Sequence, residues 1–339
     1  MFKLMEFANI KDVARLANVS VSTVSRVLNS SGYASANVRE RVIDAVRRLD
    51  YKPNLIARGL KNNSLRTIAL VVTDITNPFF AAIAKETEDL LSEYDYSLII
   101  CNTNERPDKE LRHLRQLGER QVDGIFLCGT GQNNEFVKRL AASGVVIIQI
   151  DRDYDDLDFD IIKDDNVYGA QLLTEQLINK GYKSIALLRG HPDSRASAER
   201  EQGYLFALQK NGITPDRNLI FNAGASGEET QAILKKLLEM QSRPGAIVSL
   251  NALIAKKIIS EFRTLGIRIP EDMAIASYGL EEFKSLYVPS VTCIVQKPER
   301  FGEVSVNLMM ERLKKKTDAA DSERKCILFA PELFIGESI

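Results

Sequence analysis

The chain has 339 residues, of which 45% are hydrophobic and 27% are charged, and its net charge is −1. This is the balance of a globular protein long enough for two or three domains, and it excludes a disordered or fibrous chain. The first 66 residues hold twelve Lys or Arg and five Asp or Glu, so this head carries +7 and the remainder −8. A basic head on an acidic body predicts a polyanion-binding module attached to a second unit.

Cysteine and histidine usage argues against metal and disulfide chemistry. The four cysteines, at positions 101, 128, 293 and 326, are far apart in the sequence. Neither of the two histidines, His113 and His191, has a metal-ligand partner at a useful spacing. We therefore predict small core cysteines in a reducing compartment, with no zinc site. No secretory h-region follows the N-terminus and no apolar run approaches ~18 residues, so we expect a cytoplasmic protein without a membrane span.

Residues 10–29 predict two short helices joined by a tight turn. Apolar side chains recur at helical spacing in each half, at Val13, Leu16 and Ala17, then at Val24, Val27 and Leu28. Asn18 suits the turn because Asn tolerates a left-handed backbone, and Ser20 is a suitable N-cap for the second helix. The outward face of that helix carries Val21, Ser22, Ser25 and Arg26. The pattern favours a helix-turn-helix with a recognition helix over an ordinary αα-hairpin.

A third helix completes the small helical head. Asn9 caps the first helix and Ser35 caps the third, which extends to about residue 49. Its apolar stripe closes a three-helix core and consists of Val38, Val42, Ala45, Val46 and Leu49. Pro53 ends this unit, and Asn54 caps a short segment at 55–61. Isolated helices under ~12 residues are marginal, so this segment is predicted to be ordered only when something packs on it.

From Thr67 onward, short apolar strands alternate with helices. The first series has strands at 67–73, 96–101, 123–128 and 145–150 and helices at 78–93, 107–120 and 133–143. The second has helices at 166–180, 197–211, 227–241 and 252–265 and strands at 184–189, 219–222, 246–250 and 273–278. A strand at 291–296, a helix at 299–316 and strands near 326–336 follow. Two such series predict two doubly wound parallel α/β lobes with a cleft between them.

Signatures of enzymatic chemistry are missing from these elements. Neither G-x-G-x-x-G nor a P-loop follows a strand, and no Ser/His/acid set is suggested, so we predict no cofactor and no enzyme. The acidic run at 151–160 lacks the central Gly and terminal Glu of an EF-hand, so most of it is expected to be a solvated loop. Cleft proteins bind ligands at the carboxyl ends of their strands, which indicates residues 74–77, Asp151, Asn251 and Gln296.

With a helix-turn-helix, a linker and a two-lobed body in place, the sequence resembles the lactose-repressor (LacI/GalR) family of bacterial transcription regulators over essentially its whole length. The motifs that carry the resemblance are Ile10-Lys11-Asp12-Val13-Ala14, Ser22-Thr23-Val24-Ser25-Arg26-Val27-Leu28-Asn29, Tyr51-x-Pro53-Asn54 with Ala57 and Leu60, Asp74-Ile75-Thr76-Asn77-Pro78-Phe79-Phe80, Val122-Asp123-Gly124-Ile125, Asp151-Arg152 and Ile269-Pro270-Glu271-Asp272. The resemblance implies a headpiece at 1–53, a hinge helix and linker at 54–65, and a periplasmic-binding-protein-like core at 66–339. We assign 66–163 and 291–318 to the N-terminal lobe, and 164–290 and 319–339 to the C-terminal lobe.

The resemblance also implies a homodimer that reads a pseudo-palindromic operator in double-stranded DNA. The family's specificity positions fall on Val21, Ser22 and Arg26, where Arg26 suits a guanine and Val21 a thymine methyl. Expected phosphate contacts are Thr23, Ser25, Asn29 and Asn54, and Tyr33 and Ala57 fall at further positions where the family contacts DNA. Leu60 matches the family's minor-groove wedge, so Leu60→Ala should weaken operator binding and leave the body folded. Equal operator affinity would contradict the wedge role; the alternative for Leu60 is packing between hinge helices.

The family's effector cleft carries over to Asp151, Arg200, Asn251 and Gln296, with Phe79, Tyr278 and Phe301 as further candidates. A carboxylate, a guanidinium and amides suit a polyhydroxylated ligand. The alternative for Arg200 is a surface ion pair with Glu199 or Glu201. Many members of the family have acidic residues where this chain has Ala252 and Gly279, and these departures make a sugar phosphate a candidate beside a neutral sugar.

The resulting hypothesis is an allosteric repressor of a carbohydrate-utilisation operon, in which a sugar or sugar phosphate between the lobes controls DNA binding. Two alternatives stay open: a protein co-regulator of the carbon catabolite type that binds the core, or a non-sugar metabolite. A third hypothesis, an α/β enzyme with an incidental helical head, is disfavoured by the missing phosphate loops and catalytic sets. The sequence leaves open the operator, the effector and whether the effector induces or co-represses.

Overall fold

The computed structural model describes residues 8–28, 33–51, 64–154, 156–223, 227–279, 282–318 and 323–339. The chain divides into two compact units, Met1–Leu65 and Arg66–Ile339. Four predicted DNA contacts, Asn29, Asn54, Ala57 and Leu60, lie outside the described residues, as does the predicted hinge helix at 55–61. The two units are therefore described one at a time.

The first unit contains helices α1 (Ile10–Ala17), α2 (Val21–Leu28) and α3 (Ala36–Arg48). The Asn9 side chain accepts from the backbone N–H groups of Lys11 and Asp12, at 2.9 and 3.3 Å, and Asp12 reciprocates in a capping box. Asn18 has φ 51° and ψ 53°, the left-handed conformation predicted for the turn. The predicted caps at Ser20 and Ser35 are both formed.

The core of this unit is built around Val13, Val24 and Val42, which are fully buried. Leu16, predicted on the same stripe, is instead 48% exposed. The reason is that α2 and α3 pack over the line through Val13 and Ala17, so Leu16 falls on the flank of α1. The outward face of α2 is left open, as the helix-turn-helix prediction requires.

The second unit has two six-stranded sheets. The first sheet is entirely parallel in the order β11-β5-β4-β3-β1-β2 and consists of β1 (Thr67–Val72), β2 (Ser97–Asn102), β3 (Gly124–Leu127), β4 (Val146–Ile150), β5 (Asp160–Asp164) and β11 (Cys326–Phe329). Its helices are α4 (Pro78–Glu93), α5 (Pro107–Glu119), α6 (Asn134–Ala142) and α12 (Pro298–Asp318), of which α12 packs on α4. We call this part the first lobe.

The second lobe has the strand order β12-β10-β9-β8-β6-β7. Its strands are β6 (Ile185–Arg189), β7 (Ile220–Asn222), β8 (Ala246–Ser249), β9 (Ala274–Gly279), β10 (Thr292–Val295) and β12 (Glu332–Phe334), the last antiparallel to β10. Its helices are α7 (Asn166–Asn179), α8 (Arg195–Lys210), α9 (Gly227–Glu239), α10 (Ala252–Leu265) and the short α11 (Glu282–Ser285). The predicted fold class, two doubly wound parallel sheets behind a helical head, is confirmed.

The distribution of the last strands differs from the sequence-based assignment. β10 pairs with β9 of the second lobe, with Thr292 opposite Ala276, whereas the sequence places 291–296 in the N-terminal lobe. β11 pairs with β5 of the first lobe, whereas the sequence places 319–339 in the C-terminal lobe. A short apolar strand fits either parallel sheet equally well, so its pattern does not reveal its partner. The chain therefore crosses between the lobes three times, after β5, β10 and β11.

The acidic run at 151–160 is not the solvated loop that its composition suggests. Asp151, Arg152, Leu157 and Asp160 are buried, and Asp160 begins β5, a strand missing from the prediction. The run tolerates burial because its carboxylates are paired: Asp160 accepts from Arg312 Nε and Nη2, both at 2.6 Å. Cys326 also departs from the core prediction, since it is exposed on the edge strand β11, whereas the other three cysteines are buried.

Candidate effector cleft and DNA-reading surface

A cavity of about 520 Å³ opens between the two lobes of the second unit. It lies at the carboxyl ends of the strands, where doubly wound proteins place their ligands. Five of the predicted effector residues line it, namely Phe79, Asp151, Arg200, Asn251 and Gln296. Asp74, Thr76 and Asn77 of the predicted stretch 74–77 also line it. Polar residues outside the prediction line it as well: Asn102, Asn104, Glu105, Arg106, Arg152, His191, Ser194, Ser197 and Lys257.

Arg200 is a firmly positioned polar group in this cavity. It lies on α8 and is only 7% exposed. Its Nε donates to Asn166 Oδ1 at 2.8 Å and its Nη1 to the Leu250 carbonyl oxygen at 2.7 Å. The guanidinium also stacks 3.8 Å from the ring centroid of Tyr278. These contacts fix its orientation before any ligand arrives, which reduces the entropy lost on binding.

The alternative for Arg200, a surface ion pair with a neighbouring glutamate, is wrong. Glu199 accepts instead from Lys163 Nζ at 2.7 Å and from Asn166 Nδ2 at 2.9 Å, and Glu201 pairs with Arg189. Arg200 therefore faces the cavity while its neighbours are occupied elsewhere.

Two of the predicted aromatic residues support the cavity from behind and do not line it. Tyr278 is fully buried, and its hydroxyl donates to the Asn166 carbonyl oxygen at 2.9 Å. Burial raises the pKa of this hydroxyl well above its ordinary value, so it stays a neutral donor. Phe301 packs edge-on against Phe79 with the ring centroids 5.2 Å apart. Tyr278 thus orients Arg200, and Phe301 supports the apolar wall formed by Phe79.

Helix caps and an interlobe hydrogen bond hold the remaining predicted groups. The Asn251 side chain caps α10 by accepting from Leu253 N at 2.8 Å. Gln296 Nε2 donates to Asp164 Oδ2 at 3.0 Å, and this bond joins two of the three lobe crossings. Burial raises the pKa of Asp164 to about 6 despite that hydrogen bond. Asp151 has φ 69°, a left-handed conformation that turns its side chain at the end of β4.

A buried ion pair that the sequence analysis missed forms part of the first-lobe wall. Arg152 Nη1 and Nη2 donate to the two carboxylate oxygens of Glu105, both at 3.0 Å. Arg152 was visible in the sequence as half of the Asp151-Arg152 motif. No sequence signal pointed to Glu105, which lies 47 positions away in the turn after β2.

The outward face of α2 in the first unit presents the predicted base-reading groups. Val21 is 39% exposed, and Ser22 and Arg26 lie on the same face of the helix. Thr23 is half-buried, and Tyr33 is 87% exposed beyond the helix. Ser20 Oγ contacts both Ser22 Oγ and Thr23 Oγ1 at 2.8 Å, so these hydroxyls are ordered among themselves.

A helix-turn-helix head joined to a two-lobed α/β body with an interlobe cavity defines the class of ligand-responsive DNA-binding regulators. The family model for bacterial regulatory proteins of the lacI family matches residues 9–54, and that for periplasmic binding proteins and the sugar-binding domain of the LacI family matches 65–329. The chain belongs to the LacI family, as a DNA-binding transcriptional repressor.

Relatives and solved structures agree with this assignment. The HTH-type transcriptional repressor PurR of Vibrio atlanticus is 36% identical, covering 96% of this chain and 97% of the relative. PurR of Photobacterium profundum is 33% identical over 98% of each chain. The CelR–cellobiose complex has a TM-score of 0.72 at 26% identity, covering 98% of this chain and 99% of that one. The Lac repressor dimer bound to operator and the anti-inducer ONPF shares the fold, with a TM-score of 0.83 at 22% identity over 98% of each chain.

These proteins are regulators rather than enzymes. Within the described ranges, no helix is long and apolar enough to cross a membrane. The same part of the chain contains no group of three or more His, Cys, Asp or Glu residues that could hold a metal ion.

Proposed function

We propose that this repressor binds a pseudo-palindromic operator as a homodimer in the cytoplasm, and that a small polar metabolite in the interlobe cavity controls its operator affinity. The observation that carries the proposal is the pre-positioned Arg200, held by Asn166, Leu250 and Tyr278 at a cavity of metabolite size. A guanidinium, the Asp151 carboxylate and the amides of Asn251 and Gln296 support a polyhydroxylated ligand, a sugar or a sugar phosphate.

The lobes have a contact through which such a ligand would act. Lys163 on β5 donates to Asp153 at 2.8 Å in its own lobe and to Glu199 at 2.7 Å in the other. Glu199 in turn accepts from Asn166, which holds Arg200. A ligand that shifts Arg200 therefore changes contacts that span both lobes. Coupling of this kind is typically ~1–3 kcal/mol, enough for a severalfold to a hundredfold change in operator affinity.

On the DNA side, we propose that Val21, Ser22 and Arg26 read base edges from the exposed face of α2. Thr23, Ser25, Asn29 and Asn54 are proposed to contact phosphates, and Tyr33 and Ala57 are proposed as further DNA contacts. Leu60 is proposed to enter the minor groove. Base contacts and phosphate contacts can be distinguished by experiment, because the salt dependence of DNA binding arises mainly from phosphate contacts.

The test uses the full-length protein in two stages. Operator sequences are first selected from a random duplex pool, and their binding is measured at several salt concentrations. A thermal-shift panel of sugars, sugar phosphates and purines then identifies stabilising metabolites, and operator binding is repeated with each one. A sugar or sugar phosphate that both stabilises the protein and changes operator affinity supports the proposal. If a purine alone stabilises the protein, the effector is a non-sugar metabolite and the proposed sugar is wrong. Stabilisation by none would favour a protein co-regulator, and no salt-dependent preference for any duplex would refute DNA reading.

A further inference from the structure

The charges that line the interlobe cavity are segregated by lobe. The first-lobe wall contains three carboxylates, at Asp74, Glu105 and Asp151, beside Arg106 and Arg152. Arg106 is an exposed residue that pairs with Asp108, with Nη2 2.6 Å from Oδ2. Among the described residues that line the second-lobe wall, the charged groups are Arg200 and Lys257, and none is acidic. One wall is thus acidic or neutralised and the other is basic.

The two terminal nitrogens of the Arg152 guanidinium are occupied by a protein carboxylate, whereas its buried Nε has no hydrogen-bond partner among the described residues. Both of its terminal nitrogens donate to Glu105, and Arg152 is buried. The Asp151 carboxylate lies 3.8 Å from Nε on the remaining side. A bidentate carboxylate matches the fork of a guanidinium as a ligand phosphate or carboxylate would. Any anion that approached Arg152 would have to displace Glu105 and would be repelled by Asp151.

The backbone around Glu105 is held in an unusual conformation. Asn104 and Glu105 have φ of 56° and 55°, and both line the cavity. The left-handed region suits Asn but is disfavoured for Glu, and such outliers concentrate at functional sites. In this conformation the Glu105 side chain reaches Arg152.

The opposite wall is built to receive negative charge. The first turns of α8 and α10 line the cavity, so the positive ends of two helix dipoles face it. On α8, the Ser197 hydroxyl is buried without a hydrogen-bond partner, and Ser197 is 7% exposed. Together with Arg200 this gives donors and positive charge with no carboxylate among the described residues that line this wall, in contrast to the Arg152 side.

We propose that Glu105 determines the charge specificity of the cavity: its carboxylate fills the fork of Arg152, so a bound metabolite presents neutral hydroxyl groups to the first-lobe wall and any anionic group to the Arg200 side. This inference rests on the proposed function, because it concerns the ligand of that same cavity. The inference narrows the class of metabolite to polyols with a neutral end that faces the first lobe. If the polyol has a phosphate or carboxylate group, that group lies at the opposite end.

The test measures binding of inorganic phosphate to the full-length protein by the shift of its melting temperature, at an ionic strength held constant with sodium chloride. Glu105→Gln removes the charge and keeps the size of the side chain. Glu105→Asn also removes the charge and suits the left-handed backbone better. Glu119→Gln, an exposed residue outside the cavity, makes the same change in net charge and is the matched control.

Both Glu105 variants should bind phosphate at least about tenfold more tightly than the wild type, because a charge-assisted pair with Arg152 becomes available. Glu119→Gln should match the wild type, and adding Arg152→Gln to Glu105→Gln should remove the gain. An unchanged phosphate affinity, or a gain that survives in the double variant, would overturn the proposal. So would loss of cooperative melting in both Glu105 variants, since Glu105 would then be a structural counter-ion. Operator and metabolite binding do not enter this comparison, so its failure is distinguishable from failure of the proposed function.

Discussion

Asp164 makes the two-lobed unit less stable as the pH rises through the acid range. Burial raises its pKa in the folded protein from an ordinary 3.8 to about 6. The native state therefore binds a proton more tightly than the unfolded chain, and stability is lost as the pH rises between these two values. At 1.36 kcal/mol per pKa unit, the shift corresponds to about 3 kcal/mol by neutral pH. Asp164→Asn removes this cost and keeps an oxygen that can accept from Gln296.

The assay is urea denaturation of the wild type and Asp164→Asn between pH 4 and pH 7.5. The transition of the two-lobed unit is followed by tyrosine fluorescence, since the chain has no tryptophan and most of its tyrosines lie in that unit. The stability difference in favour of the variant should grow by about 2.4 kcal/mol across that range, because a small part of the loss has already occurred at pH 4. Asp158→Asn is the control, because its side chain is 91% exposed and should give no such growth. If Asp164→Asn and the wild type lose stability in parallel from pH 4 to pH 7.5, the assignment of this pH dependence to Asp164 is refuted.

Two further predictions concern packing and the cavity. Gly203→Ala should destabilise the two-lobed unit by roughly 1–3 kcal/mol, because a Cβ there would overlap the Val167 carbonyl oxygen. Thermal melting measures this loss of stability. Gly190→Ala is its control, since the nearest atom to the added Cβ lies 4.0 Å away; equal melting temperatures for the two variants would contradict the packing argument. Arg200→Lys should weaken binding of any metabolite identified in the panel by about tenfold or more while metabolite-free operator binding persists, as measured by operator titration with and without that metabolite. An unchanged response would remove Arg200 from the site.

The headpiece could be predicted almost completely because its determinants are local. Caps at Asn9, Ser20 and Ser35 and a left-handed Asn18 act within a few residues of their own positions. Helices 78–93 and 252–265 are predictable to the residue for the same reason, since each begins at an Asn cap. What the sequence could not reveal about the head is which apolar residue its neighbours leave uncovered, as Leu16 shows.

The errors in the core all depend on partners distant in sequence. β5 escapes prediction because its first residue, Asp160, is buried with partners far along the chain: Arg312, 152 positions away, and the backbone N–H of Lys325. The sequence places β10 and β11 in the wrong lobes because strand pairing is decided by the whole sheet. A continuous apolar pattern reports burial on both faces and carries no information about the neighbouring strand.

The residues that line the cavity can be predicted where the residue type and its place after a strand indicate a ligand contact. They cannot be predicted where burial decides whether a side chain reaches the cavity. Asp151, Asn251 and Gln296 follow strands and line the cavity as expected. Tyr278 has the right position in sequence but lies behind Arg200. Glu105 has no motif at all, and its contact with Arg152 depends on a backbone conformation that its residue type disfavours.

The three lobe crossings set the order in which this chain can fold during synthesis. The first lobe needs β11 at 326–329 to complete its sheet, and the second needs β12 at 332–334. Neither lobe is one continuous segment, so a ribosome that has yet to make β11 has released no finished lobe of the core. The core residues of the headpiece, which lie between Ala8 and Tyr51, by contrast have all their partners within that short stretch. The head of a nascent chain can therefore fold long before the sheets of the body are complete.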